Sequence, residues 1–324
     1  MKTMSLYIMA ALMVLQTGRT AFGVELPLIC PAPLVADPPV LDGKTDDAAW
    51  RNAYPMSGFV VLSQPGTAAV KQTAFRAVHT AAALYVAVEC REPDMGQLQT
   101  ATQDFWKVDS VEIFIQPKAG GPYWQMVVSS DGGREESRDM EKNPNTSSWD
   151  AKVCRGGDFY GMEVKLPFDI FGARPASGEV WRFNVARNST TPDSDRYSTW
   201  SHLAENFHEP DNFGRVVFVG AGLDKAAMNC EIFKRQFETV AVWIKAYKDS
   251  YQEYDKEYFD YITKFLVEIG WEELRQKAAR IDGFSPEEAE RAKQALGKIA
   301  GRLSELEMIR SGMLKKRIFN DANG

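Results

Sequence analysis

The chain has 324 residues, long enough for two domains, and carries 38 Lys and Arg against 44 Asp and Glu for a net charge of −6. This acidic balance argues against nucleic acid or an anionic lipid surface as the partner. Four cysteines lack CxxC spacing, which removes the strongest zinc and redox motifs and leaves disulfide pairing open.

Residues 1–23 have the pattern of a secretory signal peptide. Lys2 supplies the charged start, the run LYIMAALMVL is apolar but short for a membrane span, and Ala21 and Gly23 place small residues at a cleavage site. We therefore expect an exported protein, secreted, periplasmic or on the cell surface, with no transmembrane segment in the mature chain. A retained membrane anchor is the alternative.

Residues 24–221 are predicted to form an all-β antiparallel sandwich of the immunoglobulin-like or jelly-roll-like kind. Short alternating runs separated by Gly, Pro, Asn and Asp are typical of strands, and no long helical pattern interrupts them. The eight runs in chain order are TAFRAVH, ALYVAVEC, DSVEIFIQ, YWQMVVSS, AKVCRG, YGMEVKLP, WRFNVARN and GRVVFVG. The PKAGGP segment between the third and fourth runs predicts a hairpin.

The third run places a carboxylate close to an aromatic residue. Val111 and Ile113 share one apolar face of the predicted strand, whereas Glu112 lies on the other face and Trp106 stands just upstream. The predicted hairpin register puts Gln125 on the side of Glu112. A carboxylate and an indole on a rigid strand suit a ligand, a metal or a solvated sheet surface.

Residues 222–324 change to a helical period. Apolar and aromatic residues recur in alternating steps of three and four, which indicates a heptad seam. The seam positions are Phe237, Val240, Ile244, Tyr247, Tyr251, Tyr254, Tyr258, Tyr261 and Phe265, followed later by Ala292, Leu296, Ile299, Leu303 and Leu306. Ser285 and Glu288 flank Pro286 in the pattern of a capping box. We expect an α-helical hairpin or coiled coil that packs internally, on the sandwich or on another subunit.

Several of these segments together resemble a known family. VLDGKTDDAAW, ALYVAVECREPD, WKVDSVEIFI, YGMEVKLPFDIFG, WRFNVARN, YSTWS and FHEPDNFGRVVF occur in order between residues 38 and 220, and in this order they resemble carbohydrate-binding module family 9. The resemblance implies a non-catalytic sandwich that holds sugars between two aromatic rings. It also implies structural calcium in some members.

The resemblance extends to individual positions. Trp106 matches the family's first aromatic residue, Glu112 matches the carboxylate of the DSVE motif, Gln125 falls where arginine is expected, and Phe207 falls where the second aromatic residue is often Trp. Aromatic faces pack against the C–H patches of a pyranose, and polar side chains orient its hydroxyls. The candidate carbohydrate-binding residues are Trp106, Glu112, Gln125, Arg187, Asn188 and Phe207.

Each candidate has a structural alternative. Trp106 would cap the end of the sandwich, Glu112 would be a solvated strand residue, and Phe207 would belong to the core. Arg187 lies on the apolar side of its strand, where a structural ion pair suits it equally well. We assign the tryptophans at 124, 181 and 200 to the core.

No cofactor is required by this interpretation, but calcium has candidate ligands. Asp42 and Asp46 are closely spaced loop carboxylates, which suit a hard cation. The alternative is that Asp46 caps a short helix that follows it.

We therefore predict an exported carbohydrate-binding protein that is not an enzyme. Its partner is a polysaccharide or oligosaccharide, and its helical tail serves assembly into a homo-oligomer or docking to a partner protein, so that weak sites gain avidity. The sequence contains no GxSxG, HExxH or phosphate-loop motif. Two alternatives stay open: a scaffold without sugar affinity, and a haem-binding sandwich that uses one of the three histidines, His79, His202 and His208.

Overall fold

A computed structural model describes residues 28–51, 53–64, 67–143, 148–222 and 225–251, with further stretches between 260 and 299. The strands are β1 Ile29–Pro33, β2 Val60–Val61, β3 Thr73–His79, β4 Ala83–Arg91, β5 Ser110–Gln116, β6 Trp124–Ser129, β7 Arg134–Arg138, β8 Glu141–Asn143, β9 Asp150–Arg155, β10 Phe159–Pro167, β11 Val180–Asn188, β12 Tyr197–Thr199 and β13 Gly214–Val219. The α-helices are α1 Lys225–Tyr251 and α2 Trp271–Ala278, and the short 3-10 helices are Ala48–Trp50, Met95–Gln97, Phe105–Lys107, Phe168–Phe171 and Pro210–Asn212.

The strands form two packed sheets. The smaller sheet has the order β3-β4-β10-β9, and the larger has the order β1-β13-β11-β5-β6-β7-β8, with β12 beside β11 and β2 beside β12. All eight strands predicted from alternation are present, so the β-sandwich is confirmed. The strictly antiparallel prediction is wrong at one pair, since β1 runs parallel to β13.

The core lies between the sheets and follows the predicted alternation. Val111 and Ile113 of β5 are fully buried, and β5 pairs with β6 in the expected register, with Ile113 opposite Met126. Trp181 packs against Phe218 with ring centroids 4.9 Å apart. The tryptophans at 124, 181 and 200 are all buried, as predicted.

A segment near the N-terminus covers the outer face of the smaller sheet. The buried Glu163 carboxylate accepts the backbone N–H of Asp42 and of Gly43 and the indole N–H of Trp50, at 2.8, 3.0 and 2.8 Å. Gly43 has φ +88°, and a Cβ there would lie 2.4 Å from the amide nitrogen of Cys154. The DG and W of the VLDGKTDDAAW segment are thus fixed by packing against the sheet.

The described residues divide into two compact units, a sandwich unit that ends at Ile232 and a helical unit that starts at Phe233. In the sandwich unit, Ile232 of α1 packs on Ile29, Val217 and Val219. In the helical unit, the rings of Phe237 and Trp271 stack with centroids 5.0 Å apart.

Part of the helical prediction is confirmed. Ser285 and Glu288 form the capping box, since the Ser285 N–H donates to the Glu288 carboxylate at 2.8 Å and the Glu288 N–H donates to Ser285 Oγ at 3.2 Å. The early seam positions Val240 and Ile244 are buried. The hairpin or coiled coil stays a prediction, because the side chains of Tyr247, Tyr251, Tyr254, Tyr258, Tyr261, Phe265, Leu303 and Leu306 lie outside the described residues.

The predicted signal peptide, residues 1–23, also lies outside the described residues. Among the helices that are described, none combines the length and apolarity that a membrane span requires.

Candidate functional site

Three polar side chains meet on the outer face of the larger sheet, where β11, β5 and β6 run side by side. Asn188 Nδ2 donates to Glu112 Oε1 at 2.7 Å, and Gln125 Nε2 donates to Glu112 Oε2 at 2.6 Å. Ser137 Oγ on β7 donates to Gln125 Oε1 at 2.6 Å, which fixes the orientation of that amide. We call Glu112, Gln125 and Asn188 the polar cluster.

The carboxylate at the centre of the polar cluster is buried without a cationic partner. Glu112 is 2% exposed, and in the described part of the chain no Lys or Arg forms an ion pair with it. Burial raises the pKa of Glu112, which the hydrogen bonds from Asn188 and Gln125 partly offset. Each oxygen accepts one amide bond and keeps acceptor capacity for a ligand hydroxyl.

Trp106 stands beside this face on the turn that leads into β5. Its indole is 41% exposed, the largest exposure among the tryptophans whose burial is described. The ammonium of Lys107 lies 5.1 Å from the ring centroid, within the range of a cation–π contact. The indole therefore offers surface for a ligand at the start of β5.

A second aromatic residue flanks the polar cluster and was missed in the sequence analysis. Tyr197 on β12 pairs with Asn188 in the sheet and is half-buried on the same face. The guanidinium of Arg196 lies 5.0 Å from the Tyr197 ring centroid. Tyr197 opens the YSTWS segment, so alternation through that short strand was the signal that could have found it.

Comparison with known proteins identifies the family of the chain. The model of the family described as "Carbohydrate family 9 binding domain-like" matches residues 41–221, more than half of the chain. The chain belongs to this family. It is similar to the family 9 module from Caldicellulosiruptor kristjanssonii, solved in complex with glucose, at 19% identity and a TM-score of 0.46 over 59% of this chain and 97% of that one. The structure of a family 9 module from the same organism in complex with cellotriose is also similar, at 19% identity and a TM-score of 0.46 over 60% of this chain and 95% of that one. Among curated proteins no match was found.

The second aromatic position expected from family 9 lies in apolar packing. Phe207 is 7% exposed, and its ring contacts Phe114 and Tyr197 with centroids 6.3 and 5.9 Å apart. Its loop is fixed by Glu209, whose carboxylate accepts the backbone N–H groups of residues 204–206. Phe207 therefore packs against the Tyr197 ring and exposes almost none of its own ring to a ligand.

Arg187 is the candidate that the structure separates from the others. It points into the sandwich, is 1% exposed, and donates from Nη2 to Glu92 Oε2 at 2.9 Å. Lys71 Nζ reaches Glu92 Oε1 at 2.8 Å and Asp94 Oδ2 at 2.9 Å. We call Lys71, Glu92, Asp94 and Arg187 the inner network. Arg187 thus forms a structural ion pair, the alternative that the sequence analysis gave for it. Its side chain lies on the opposite side of the sheet from Glu112.

The two calcium candidates, Asp42 and Asp46, are not grouped with further oxygen ligands among the described residues. Both carboxylate oxygens of Asp42 accept hydrogen bonds from Lys44, one from its backbone N–H and one from its ammonium, and Asp46 is exposed. The short helix after them starts at Ala48, its N-cap residue is Asp47, and no side chain caps it, so the expected Asp46 cap is not formed. Within the described residues, no group of three or more His, Cys, Asp or Glu is placed to hold a metal ion.

Proposed function

We propose that the sandwich binds a saccharide on the outer face of the larger sheet, with Trp106 as the stacking surface and the polar cluster as the hydroxyl-binding group. The observation that carries this proposal is the Glu112 carboxylate, held by two amides and by no cation among the described residues, on the strand that follows the exposed Trp106. Sugars need this combination, because they present C–H faces and directional hydroxyls on one ring.

Tyr197 takes the place of a second aromatic contact in this proposal. It is the cross-strand neighbour of Asn188, and Phe207 packs against its ring. Arg196 lies over the Tyr197 ring and brings a guanidinium to this part of the site. The family resemblance predicts an arginine at a different position, that of Gln125. The proposed site therefore has two candidate stacking residues, Trp106 and Tyr197.

The remaining parts of the proposal concern the setting of the site. The chain is exported through its N-terminal segment, acts by binding without turnover, and uses its helical tail to cluster copies or dock them to a partner protein. Membership of a binding-module family and the tail's seam pattern support this. Calcium binding at Asp42 and Asp46 gains no support from the hydrogen bonds there.

The test is a glycan array of plant, algal and host polysaccharides, followed by calorimetric titration of the strongest ligand. Trp106→Ala should abolish measurable binding and leave the melting temperature unchanged, because the indole is exposed. Met140→Ala is the matched control, since Met140 is 64% exposed on the turn between β7 and β8 and the variant should bind as the wild type does.

Two results would oppose the proposal. A wild-type protein that binds nothing on the array would favour the scaffold without sugar affinity, and a Trp106→Ala protein that binds normally would remove the stacking role. Assembly through the tail is measured by light scattering of the full chain. A mass above the monomer supports it, and a monomer at all concentrations contradicts it.

A further inference from the structure

The turn that carries Trp106 is held in place by a residue of a different strand. The turn, Asp104–Val108, begins with Asp104 in the left-handed region at φ +53°. The carboxylate of Glu135 on β7 accepts the Asp104 N–H at Oε1 and the Phe105 N–H at Oε2, at 3.1 and 3.0 Å. One side chain thus satisfies two backbone donors immediately before Trp106.

Charges around the turn hold this arrangement together. Lys142 Nζ on β8 bridges Asp104 Oδ1 and Glu135 Oε1 at 2.6 and 2.9 Å, and Lys107 Nζ contacts Asp104 Oδ2 at 2.9 Å. The hydrogen bonds from Lys142 and Lys107 lower the pKa of Asp104 to about 2. Asp104 therefore keeps its negative charge to a lower pH than an isolated aspartate.

Packing and a second anchor complete the hold on the turn. The ring of Phe105 lies over Gly133, where an added Cβ would come within 2.3 Å of the ring. Arg196 Nη2 donates to the carbonyl oxygen of Lys107 at 2.8 Å, which ties the far end of the turn to the start of β12. The turn is thus fixed on one side by the β6–β7 hairpin and on the other by the segment that carries Tyr197.

Two outward-facing residues of β7 therefore act on both halves of the candidate site. Ser137 holds the Gln125 amide of the polar cluster, and Glu135, two residues earlier on the same face, holds the Trp106 turn. We propose that Glu135 is a positioning residue, which fixes Trp106 at the distance and angle from the polar cluster that a saccharide requires. This inference rests on the proposed function, since it assigns Glu135 a role in that same site without contact to the ligand.

The test labels the protein with 5-fluorotryptophan and follows the Trp106 fluorine resonance, assigned by its disappearance in Trp106→Phe. Glu135→Gln keeps the shape but replaces one accepting oxygen with an NH₂ group, and Glu135→Ala removes both acceptors. We expect the Trp106 resonance to shift and broaden in both variants without ligand, while the resonances of the buried tryptophans stay in place. If the turn then holds its binding arrangement about a tenth of the time, the apparent Kd rises about tenfold.

Glu141→Gln is the matched control, because it removes the same charge from an exposed position on the neighbouring strand β8, and no hydrogen bond or ion pair among the described residues joins Glu141 to the turn. Lys142→Met should give a smaller change than Glu135→Ala, since it removes the bridging cation and leaves both backbone bonds.

An unchanged Trp106 resonance and an unchanged Kd in Glu135→Ala would overturn the inference. If the wild type binds no saccharide, the proposed function fails, and the resonance measured without ligand still decides the role of Glu135. Should Glu135→Ala not fold, the same comparison is made with Glu135→Gln.

Discussion

The inner network and the polar cluster bury a carboxylate each, on opposite sides of one strand. Arg187 and Asn188 are neighbours in β11, and because side chains alternate along a strand, Arg187 reaches inward to Glu92 and Asn188 reaches outward to Glu112. Glu92 is contacted by a guanidinium and an ammonium, at 2.9 and 2.8 Å. Glu112 is contacted by two neutral amides.

The difference separates two uses of a buried charge. Two cations balance the charge of Glu92, so its burial is explained within the protein. Amides hold Glu112 in position but leave its negative charge uncompensated, so burial raises its pKa. A carboxylate kept in this state gains most from a ligand that donates hydrogen bonds to it, which is why the polar cluster is the candidate site and the inner network is structural.

The largest effect is expected from breaking the inner network. Arg187→Met removes the cation at 2.9 Å and leaves the Glu92 carboxylate, which is fully buried, with less compensation. We expect the free energy of unfolding to fall by about 3–5 kcal/mol, as is usual when one partner of a buried pair is removed. Urea denaturation measures this.

The matched control for Arg187→Met lies on the same strand. Arg182→Met removes the ion pair to Asp211, whose side chain is 76% exposed, and a hydrogen bond to Gln116 Oε1 at 2.8 Å, so the loss should be smaller, about 1–2 kcal/mol. Equal losses in the two variants would contradict the division between inner and outer charges.

The sequence was sufficient for the strands whose apolar residues alternate. All eight predicted strands are present, because one buried face imposes a period of two on each. Five strands were missed. β1, ICPAP, contains two prolines, and β7 and β8, REESR and EKN, are polar throughout. β2 and β12 are only two and three residues long, too short for alternation alone to mark them as strands. Their positions depend on pairing with neighbours, which alternation in a single segment does not encode.

The candidate site was predictable only in part. Strand parity brought Glu112 and Gln125 to one face, and the hairpin register that this required is confirmed. Strand alternation alone could not decide whether Arg187 contacts a ligand or forms a structural ion pair. Its partner Glu92 is 95 residues away in the chain, so the sequence did not indicate the pairing. Glu135 was not foreseeable, because it acts on backbone N–H groups about 30 residues earlier, and backbone donors carry no sequence signal.

The second prediction removes the charge of the polar cluster. Glu112→Gln keeps the size of the side chain but replaces one accepting oxygen with a donor, next to amides that already donate to it. We expect the saccharide Kd to rise by about 10–100-fold, the equivalent of one hydrogen bond to a charged group. Calorimetric titration measures the change, and an affinity within twofold of the wild type would show that the carboxylate contributes little to binding.

The pH dependence of the wild type tests the same charge. Because burial raises the pKa of Glu112 above its ordinary 4.5, the site loses its acceptor at a higher pH than a solvated glutamate would. Affinity should therefore rise as the pH rises through that pKa, and Glu112→Gln should not show this step. Folding responds in the opposite direction: the stability linked to this group is present below pH 4.5 and is lost as the pH rises through the raised pKa.

The smallest effect is expected from making the polar cluster resemble the inner network. Gln125→Arg introduces, at a half-buried position, the residue expected from family 9, and places a guanidinium where an amide now donates to Glu112 at 2.6 Å. A cation at this distance should lower the pKa of Glu112, so the pH step in affinity moves to a lower pH. Carboxyl NMR of Glu112 measures the shift directly. If the pKa stays where it is in the wild type, the missing cation is not what distinguishes the outer carboxylate from the inner one.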